Sequence, residues 1–304
     1  MKKIIILCGP TAVGKTGLAL ELAETFNAEI ISADSQQVWR ELDIGTAKPT
    51  PEEQSQVKHH LINVANPDEH FDVSRYVQLA DEAIEDIYKC GRVPFVVGGA
   101  GMYIDTLLHG LCEAPPQDKI LRQKLMMRLQ QEGLPALLEE LQKKDPETAQ
   151  KLHPNDTTRI VRALEVFELS GSSLSHFHRQ HAAQSPRYQA LQIGLNCDRR
   201  LLHEKIERRV AWMIACGWTE EVRELLKFYS SQSQSMLSIG YKQIVAHLKG
   251  EVGLEETILE IKKRTRAFAR RQLTWFRGDK AMPWFEPSQK DPIKQKIDLF
   301  LSKA

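Results

Sequence analysis

The chain has 304 residues, 42% apolar and 27% charged, with a formal net charge of +1; it can bury a full core as one large or two moderate domains, and it shows no general excess of basic charge that would mark a nucleic-acid binder. No uninterrupted apolar run reaches membrane-spanning length, and the start, MKKIIILCGP, leads straight into a motif and not a signal-peptide cleavage site, so a cytoplasmic protein without membrane contact is expected. Five scattered cysteines (Cys8, Cys90, Cys112, Cys197, Cys216), without a CxxC pair, point to neither a disulfide framework nor a zinc site, and most read as small buried hydrophobes.

Residues 4–7 form an apolar run suited to a buried strand, followed by a glycine-rich turn and a helical pattern over 17–26. A second strand over 29–32 ends at Asp34. Residues 74–90 read as an amphipathic helix capped by Asp72 or Ser74 and stopped by Gly91, and 93–97 as the next strand, running into Gly98, Gly99 and Gly101 before a helix over 103–109. Alternating strands and helices imply an α/β fold with a parallel sheet covered on both faces. From 116 to 186 the pattern is helical, with Leu121, Leu125 and Leu129 four residues apart, which reads as an inserted all-helical subdomain; residues 1–115 and 187–304 would form the core domain. A strand over 189–195 resumes the sheet, helices over 199–216, 219–229 and 253–276 follow, and the polar stretch 230–235 reads as a mobile loop.

Gly9-Pro10-Thr11-Ala12-Val13-Gly14-Lys15-Thr16 matches G-x-x-x-x-G-K-[ST] between a strand and a helix, which makes the sheet P-loop NTPase-like. The glycines let backbone N–H groups curl around phosphate oxygens, the helix start adds positive potential, Lys15 neutralises charge and the Thr16 hydroxyl can hold Mg²⁺. The strand over 93–97 ends in Gly-Gly-Ala-Gly, without the carboxylate that nucleoside triphosphatases offer to Mg²⁺. The acid stands instead after the second strand, at Asp34, where open α/β sheets bind ligands; taken alone, it reads more often as a solvated turn or helix-capping residue.

The blocks GPTAVGKT, DSQQVW, LDIGTAKP, VVGGAGMY, HPNDTTRIVRALE, SIGYKQ and RRQLTWFR, in this order from residue 9 to 277, resemble the tRNA dimethylallyltransferases, the IPP transferase family. The resemblance implies transfer of a dimethylallyl group from its diphosphate to the exocyclic amine of the adenosine just 3′ of the anticodon (position 37), in tRNAs that read codons beginning with U. The P-loop would then hold the pyrophosphate of the donor. The resemblance makes Asp34 the catalytic aspartate, with Thr16 and its Mg²⁺ and Arg209 stabilising the leaving group; the neighbouring Arg208 leaves that register open. Contacts to the tRNA anticodon stem-loop fall on Asp34, Ser35, Gln36, Gln37 and Ala100, on Thr158, Arg159, Ile160, Val161 and Arg162, and on the 270–277 block, including Arg270 and Arg277, with Trp275 and Phe276 stacking or packing.

Between 262 and 280 there are eight basic residues against one acid, Asp279; Lys263, Arg266 and Arg270 share one helical face and can reach phosphates. Without the resemblance this helix reads as a solvated face and Trp275 as core. Two positions depart from the family pattern: Ala100 stands where threonine is usual and Trp39 where tyrosine is. A kinase acting on a small substrate and an RNA-binding protein without catalysis are the competing readings, and the working unit is expected to be a monomer.

Overall fold

A computed structural model describes residues 1–182 and 185–303; positions 183, 184 and 304, which fall inside the expected domain spans, lie outside the described residues. The chain divides into two compact units, Met1–Leu108 with Arg187–Ala304, and His109–Pro186.

The first unit begins with β1 (Lys3–Cys8), buried except for Lys3, and α1 (Lys15–Thr25), with β2 (Ala28–Ala33) after it. The short α2 (Pro51–Gln56) starts in a capping box: Glu53 N–H donates to the Thr50 hydroxyl at 3.2 Å and Thr50 N–H to the Glu53 carboxylate at 2.8 Å. Then come β3 (His59–His60), α3 (Val73–Lys89), β4 (Val93–Gly98) and α4 (Gly101–His109). Of the two candidate caps of α3, Asp72 is the cap, accepting from Arg75 N–H at 3.0 Å.

The second unit is helical: α5 (Lys119–Glu132), α6 (Leu134–Lys144), α7 (Pro146–Lys151), α8 (Thr157–Ser170) and α9 (Leu174–Ala182). Leu125, Leu137, Leu141, Ile160, Val161 and Leu164 form its own core, with Leu121 and Leu129 packed at the edge. Two buried carboxylates organise it. Asp145, 1% exposed, caps α7 and also accepts from Ser175 N–H at 3.0 Å. Glu165, fully buried, accepts from Asp118 N–H at 3.0 Å and pairs with Arg162 at 2.8 Å and Arg122 at 3.7 Å.

The chain returns to the first unit with β5 (Gln189–Leu195), α10 (Arg199–Ala215), α11 (Trp218–Leu225), α12 (Tyr241–Leu248), α13 (Leu254–Phe276), β6 (Trp284–Phe285) and α14 (Lys290–Ser302). The six strands form one parallel sheet in the order β3-β2-β4-β1-β5-β6. Cys8 and Ala33 both pair with Gly98, so the P-loop, Asp34 and Gly99 leave three neighbouring strand ends side by side. This is the carboxyl edge, where open α/β sheets bind ligands.

The structure corrects four expectations. The polar stretch 230–235 is anchored: Ser235 is fully buried and donates to Pro67 O at 2.7 Å, and Gln234 bonds the Phe71 backbone. Polar composition signalled solvent, but these side chains satisfy buried backbone. The helix expected over 219–229 ends at Leu225. Of the cysteines only Cys8 is buried; Cys90 and Cys216 are exposed and Cys112 and Cys197 intermediate. Trp275 is 47% exposed and not core, whereas Phe276 is buried.

Candidate functional site

The P-loop curls because Gly9, Ala12 and Gly14 all have positive φ, at 154°, 64° and 115°. Lys15 folds back over the loop, donating to Gly9 O at 3.0 Å and Pro10 O at 2.8 Å. Burial pushes its ammonium down to about 8; Asp34 opposes this shift and Arg209 adds to it. Lys205 on α10 reaches Val13 O at 3.3 Å. These groups and Thr16 line a cavity of about 310 Å³ that also takes in Asp34, Gln37 and His59.

Arg209 stands one helical turn after Lys205, with its guanidinium in the same cavity; burial lowers its pKa and the Asp34 charge raises it. Arg208 is exposed and lines neither this cavity nor the next. Lysine and arginine converge here without a carboxylate ion pair among the described residues, an arrangement that favours a polyanion.

Asp34 Oδ1 accepts from Gln36 N–H at 2.8 Å, an Asx-type turn that fixes the carboxylate and leaves Oδ2 for another partner. Beside it a second cavity of about 150 Å³ opens. It shares Thr11, Asp34 and Arg209 with the first, and adds Ser35, Gln36, Ile206, Met213, Trp218 and Phe268. Gln36 Oε1 is buried without a hydrogen-bond partner. Part of this wall, the LDIGTAKP loop, is held by Glu221: its carboxylate accepts from Asp43 N–H at 2.9 Å, Ile44 N–H at 2.7 Å and Gly45 N–H at 3.4 Å.

The blocks expected to contact RNA fare unevenly. Thr158 and Arg159 are exposed, but Ile160 and Val161 are buried at 0% and 1% exposure. Their side chains belong to the helical core and cannot touch RNA, because α8 needs an apolar face. Arg162 is tied to Glu165 and to Pro115 O. On α13, Lys263 is exposed with Glu260 at 3.7 Å, and Arg266 pairs with Glu207 at 2.9 Å. Arg270 and Arg277 line a groove of about 570 Å³ with Arg199 and Arg266, and Arg277 also lies over the Trp284 ring. Ala100 is half-buried and its N–H donates to Ala33 O at 3.0 Å. Trp39, 1% exposed, packs edge-on against Phe71.

Sequence reasoning missed Lys205, His59 and Gln272. Lys205 could have been found four residues before Arg209 on one helix. Gln272 interrupts the buried stripe of Ala269 and Phe276 with a polar group, which is a signal too.

Among the described residues no helix is long and apolar enough to cross a membrane, and no group of three or more His, Cys, Asp or Glu is placed to hold a metal. The Thr16 hydroxyl and Asp34 carboxylate are oxygen donors lining one cavity, a set that suits a hard cation completed by phosphate oxygens and water.

The family model for IPP transferase matches residues 37–279. The chain is 44% identical over 300 residues to a tRNA dimethylallyltransferase 2 of Syntrophus aciditrophicus, covering 98% of this chain and 96% of that one. It is 45% identical over 287 residues to a tRNA dimethylallyltransferase of Thermoanaerobacter pseudethanolicus, covering 93% and 91%. Among solved structures, the tRNA isopentenylpyrophosphate transferase of Bacillus halodurans is similar with a TM-score of 0.75 and 37% identity, covering 100% of this chain and 98% of that one. A eukaryotic dimethylallyltransferase described as acting on tRNA gives a TM-score of 0.80 at 29% identity, covering 98% and 78%. A P-loop facing a strand-end aspartate and sequence matches over nearly the whole chain thus lead to one conclusion: the chain belongs to the IPP transferase family.

Proposed function

We propose that this chain is a tRNA dimethylallyltransferase that moves the dimethylallyl group of dimethylallyl diphosphate onto the exocyclic amine of the adenosine 3′ of the anticodon. The observation that carries this reading is the junction of two cavities at Thr11, Asp34 and Arg209, one lined by cations and the other largely apolar. The diphosphate lies in the first, held by the P-loop amides, Lys15, Lys205 and Arg209, and the flipped adenine enters the second beside Asp34.

The bond from the allylic carbon to the diphosphate oxygen breaks as the bond from the adenine nitrogen forms. Positive charge develops on the allyl group, and negative charge on the departing diphosphate is met by Lys15, Lys205 and Arg209. The amine's lone pair is delocalised into the ring, so its proton must leave as the bond forms; Asp34 Oδ2 takes it. Thr16 would hold Mg²⁺, which adds positive charge against the diphosphate. β4 ends at Gly98 and offers backbone where a kinase reading would look for a metal-binding carboxylate.

The helical unit His109–Pro186 grips the anticodon stem through Thr158 and Arg159, while Arg270 and Arg277 take phosphates on the other unit. One chain supplies Lys15, Asp34, Lys205 and Arg209, and we take the monomer as the working unit. The test is nucleoside analysis of tRNA incubated with the protein, dimethylallyl diphosphate and Mg²⁺ without ATP. Prenylated adenosine with released diphosphate is the expected product; turnover that requires ATP hydrolysis would revive the kinase reading.

A further inference from the structure

Gln272 lies on the buried side of α13, 6% exposed, and both ends of its carboxamide are engaged. Oε1 accepts from Thr11 N–H at 2.8 Å, and Nε2 donates to Gly99 O at 3.0 Å. Thr11 is in the P-loop. Gly99 belongs to the turn after β4, where Gly99 N–H and Ala100 N–H both donate to Ala33 O, at 3.2 and 3.0 Å. Ala33 directly precedes Asp34. One side chain therefore links the phosphate loop to the strand end that carries the carboxylate, across two strand ends that the sheet register only brings near each other.

The chemistry of the link is selective. It needs an acceptor toward Thr11 and a donor toward Gly99, which an amide supplies at fixed separation. Lysine can only donate, an ionised glutamate can only accept, and methionine leaves two backbone groups unpaired. Gly99 is part of the same fit, since a Cβ there would collide with Gln272 Nε2. The helix that carries Gln272 inward also carries Arg270 and Arg277 into the basic groove.

We propose that Gln272 is a positioning residue that sets the separation between the donor diphosphate and the Asp34 carboxylate. This rests on the prenyl-transfer reading. Displacement of reacting groups by about 1 Å costs on the order of a hundredfold in rate, so loss of the link falls on the phosphate loop's grip and on the chemical step and leaves the tRNA surface untouched.

The test uses full-length Gln272→Glu and Gln272→Met. A protonated glutamate has the donor and acceptor layout of glutamine, whereas an ionised one turns a carboxylate oxygen toward Gly99 O. Single-turnover prenyl transfer, KM for tRNA and affinity for pyrophosphate with Mg²⁺ are measured from pH 8.5 to 5.5. Each is divided by the wild-type value at the same pH, so that the effects of the other charged groups on the joined elements, among them Lys15, Asp34, Arg270 and Arg271, cancel. For Gln272→Glu the expected result is a rate about a hundredfold below wild type at pH 8.5, recovering as pH falls, with pyrophosphate affinity following it and KM for tRNA unchanged. Gln272→Met should show a deficit that does not vary with pH. A Gln272→Glu protein that tracks wild type throughout, or whose deficit ignores pH, overturns the proposal. So does a loss of the folded circular-dichroism signal in parallel with the rate, which would make Gln272 a core residue only. If wild type itself makes no prenylated adenosine, the functional reading fails, and the pyrophosphate affinities alone decide the role of Gln272.

Discussion

The cations of the strand-end cavity and those of the helical unit live differently. In the strand-end cavity, Lys15 and Lys205 bond backbone carbonyls and Arg209 has no ion pair among the described residues. In the helical unit Arg128 meets Glu132 and Glu140, Lys144 meets Glu140, Arg162 meets Glu165 and Arg179 meets Glu147. Unpaired cations in a cavity have their opposite charge outside the protein; paired ones are already spent on the fold. Counting basic residues does not separate the two, and asking where each one's carboxylate lies does.

The sharpest way to break this contrast is to remove a carboxylate from each side. Asp34→Ala should lower the single-turnover rate by roughly 10² to 10⁴-fold, the loss expected for a general base, while tRNA affinity and thermal stability stay close to wild type. Glu165→Ala should do the reverse. It strands Arg162 and Arg122 and the Asp118 amide in the helical unit, costing about 3 kcal/mol of that unit's stability in thermal unfolding and leaving pyrophosphate affinity intact.

Next in size is a pH effect. The pKa of Lys15 is depressed to about 8 from 10.5, so the ligand-free protein sheds that proton near pH 8. The donor needs the ammonium, so its affinity should be steady below about pH 8 and weaken by up to about tenfold per unit above it, with proton uptake in calorimetric titrations. Lys15→Arg should remove the break. In the same window, 8 to 10.5, the unfolded chain holds the extra proton, so this group makes the ligand-free protein more stable as pH rises.

Smaller still is the difference within α13. Arg270→Gln with Arg277→Gln should reduce the slope of log affinity for tRNA against log salt by roughly two units. Arg266→Gln should change it less, because Glu207 already holds that side chain. A loss of about one full unit for Arg266→Gln as well would mean that pairing does not separate structural from RNA-facing cations.

Much of this was legible in the sequence where a pattern had length. Ile4 to Leu7 announced β1, and the P-loop and Asp34, which the sequence singled out, line one cavity at the strand ends. The strands His59–His60 and Trp284–Phe285, two residues each, carry no periodicity and exist only because neighbours offer edges to pair with. α2 did carry its signature, Thr50 and Glu53 at capping-box spacing with Pro51 between. Ile160 and Val161 shared a family block with Arg159, but proximity in sequence said nothing of which face of α8 each occupies. Gln272 joins Thr11 across 261 residues, a separation that no local pattern reports.

Cys8, the last residue of β1, abuts the P-loop, yet burial pushes its thiol up to about 12 and its Sγ lies 3.6 Å from Ile193 O. Because the thiolate is the reactive form, alkylating reagents and peroxide should spare it and meet Cys90 and Cys216 first, at the C-terminal ends of α3 and α10. A maleimide dye can therefore be attached to this protein without touching its phosphate loop, and mild oxidants should stain its surface before they silence its chemistry.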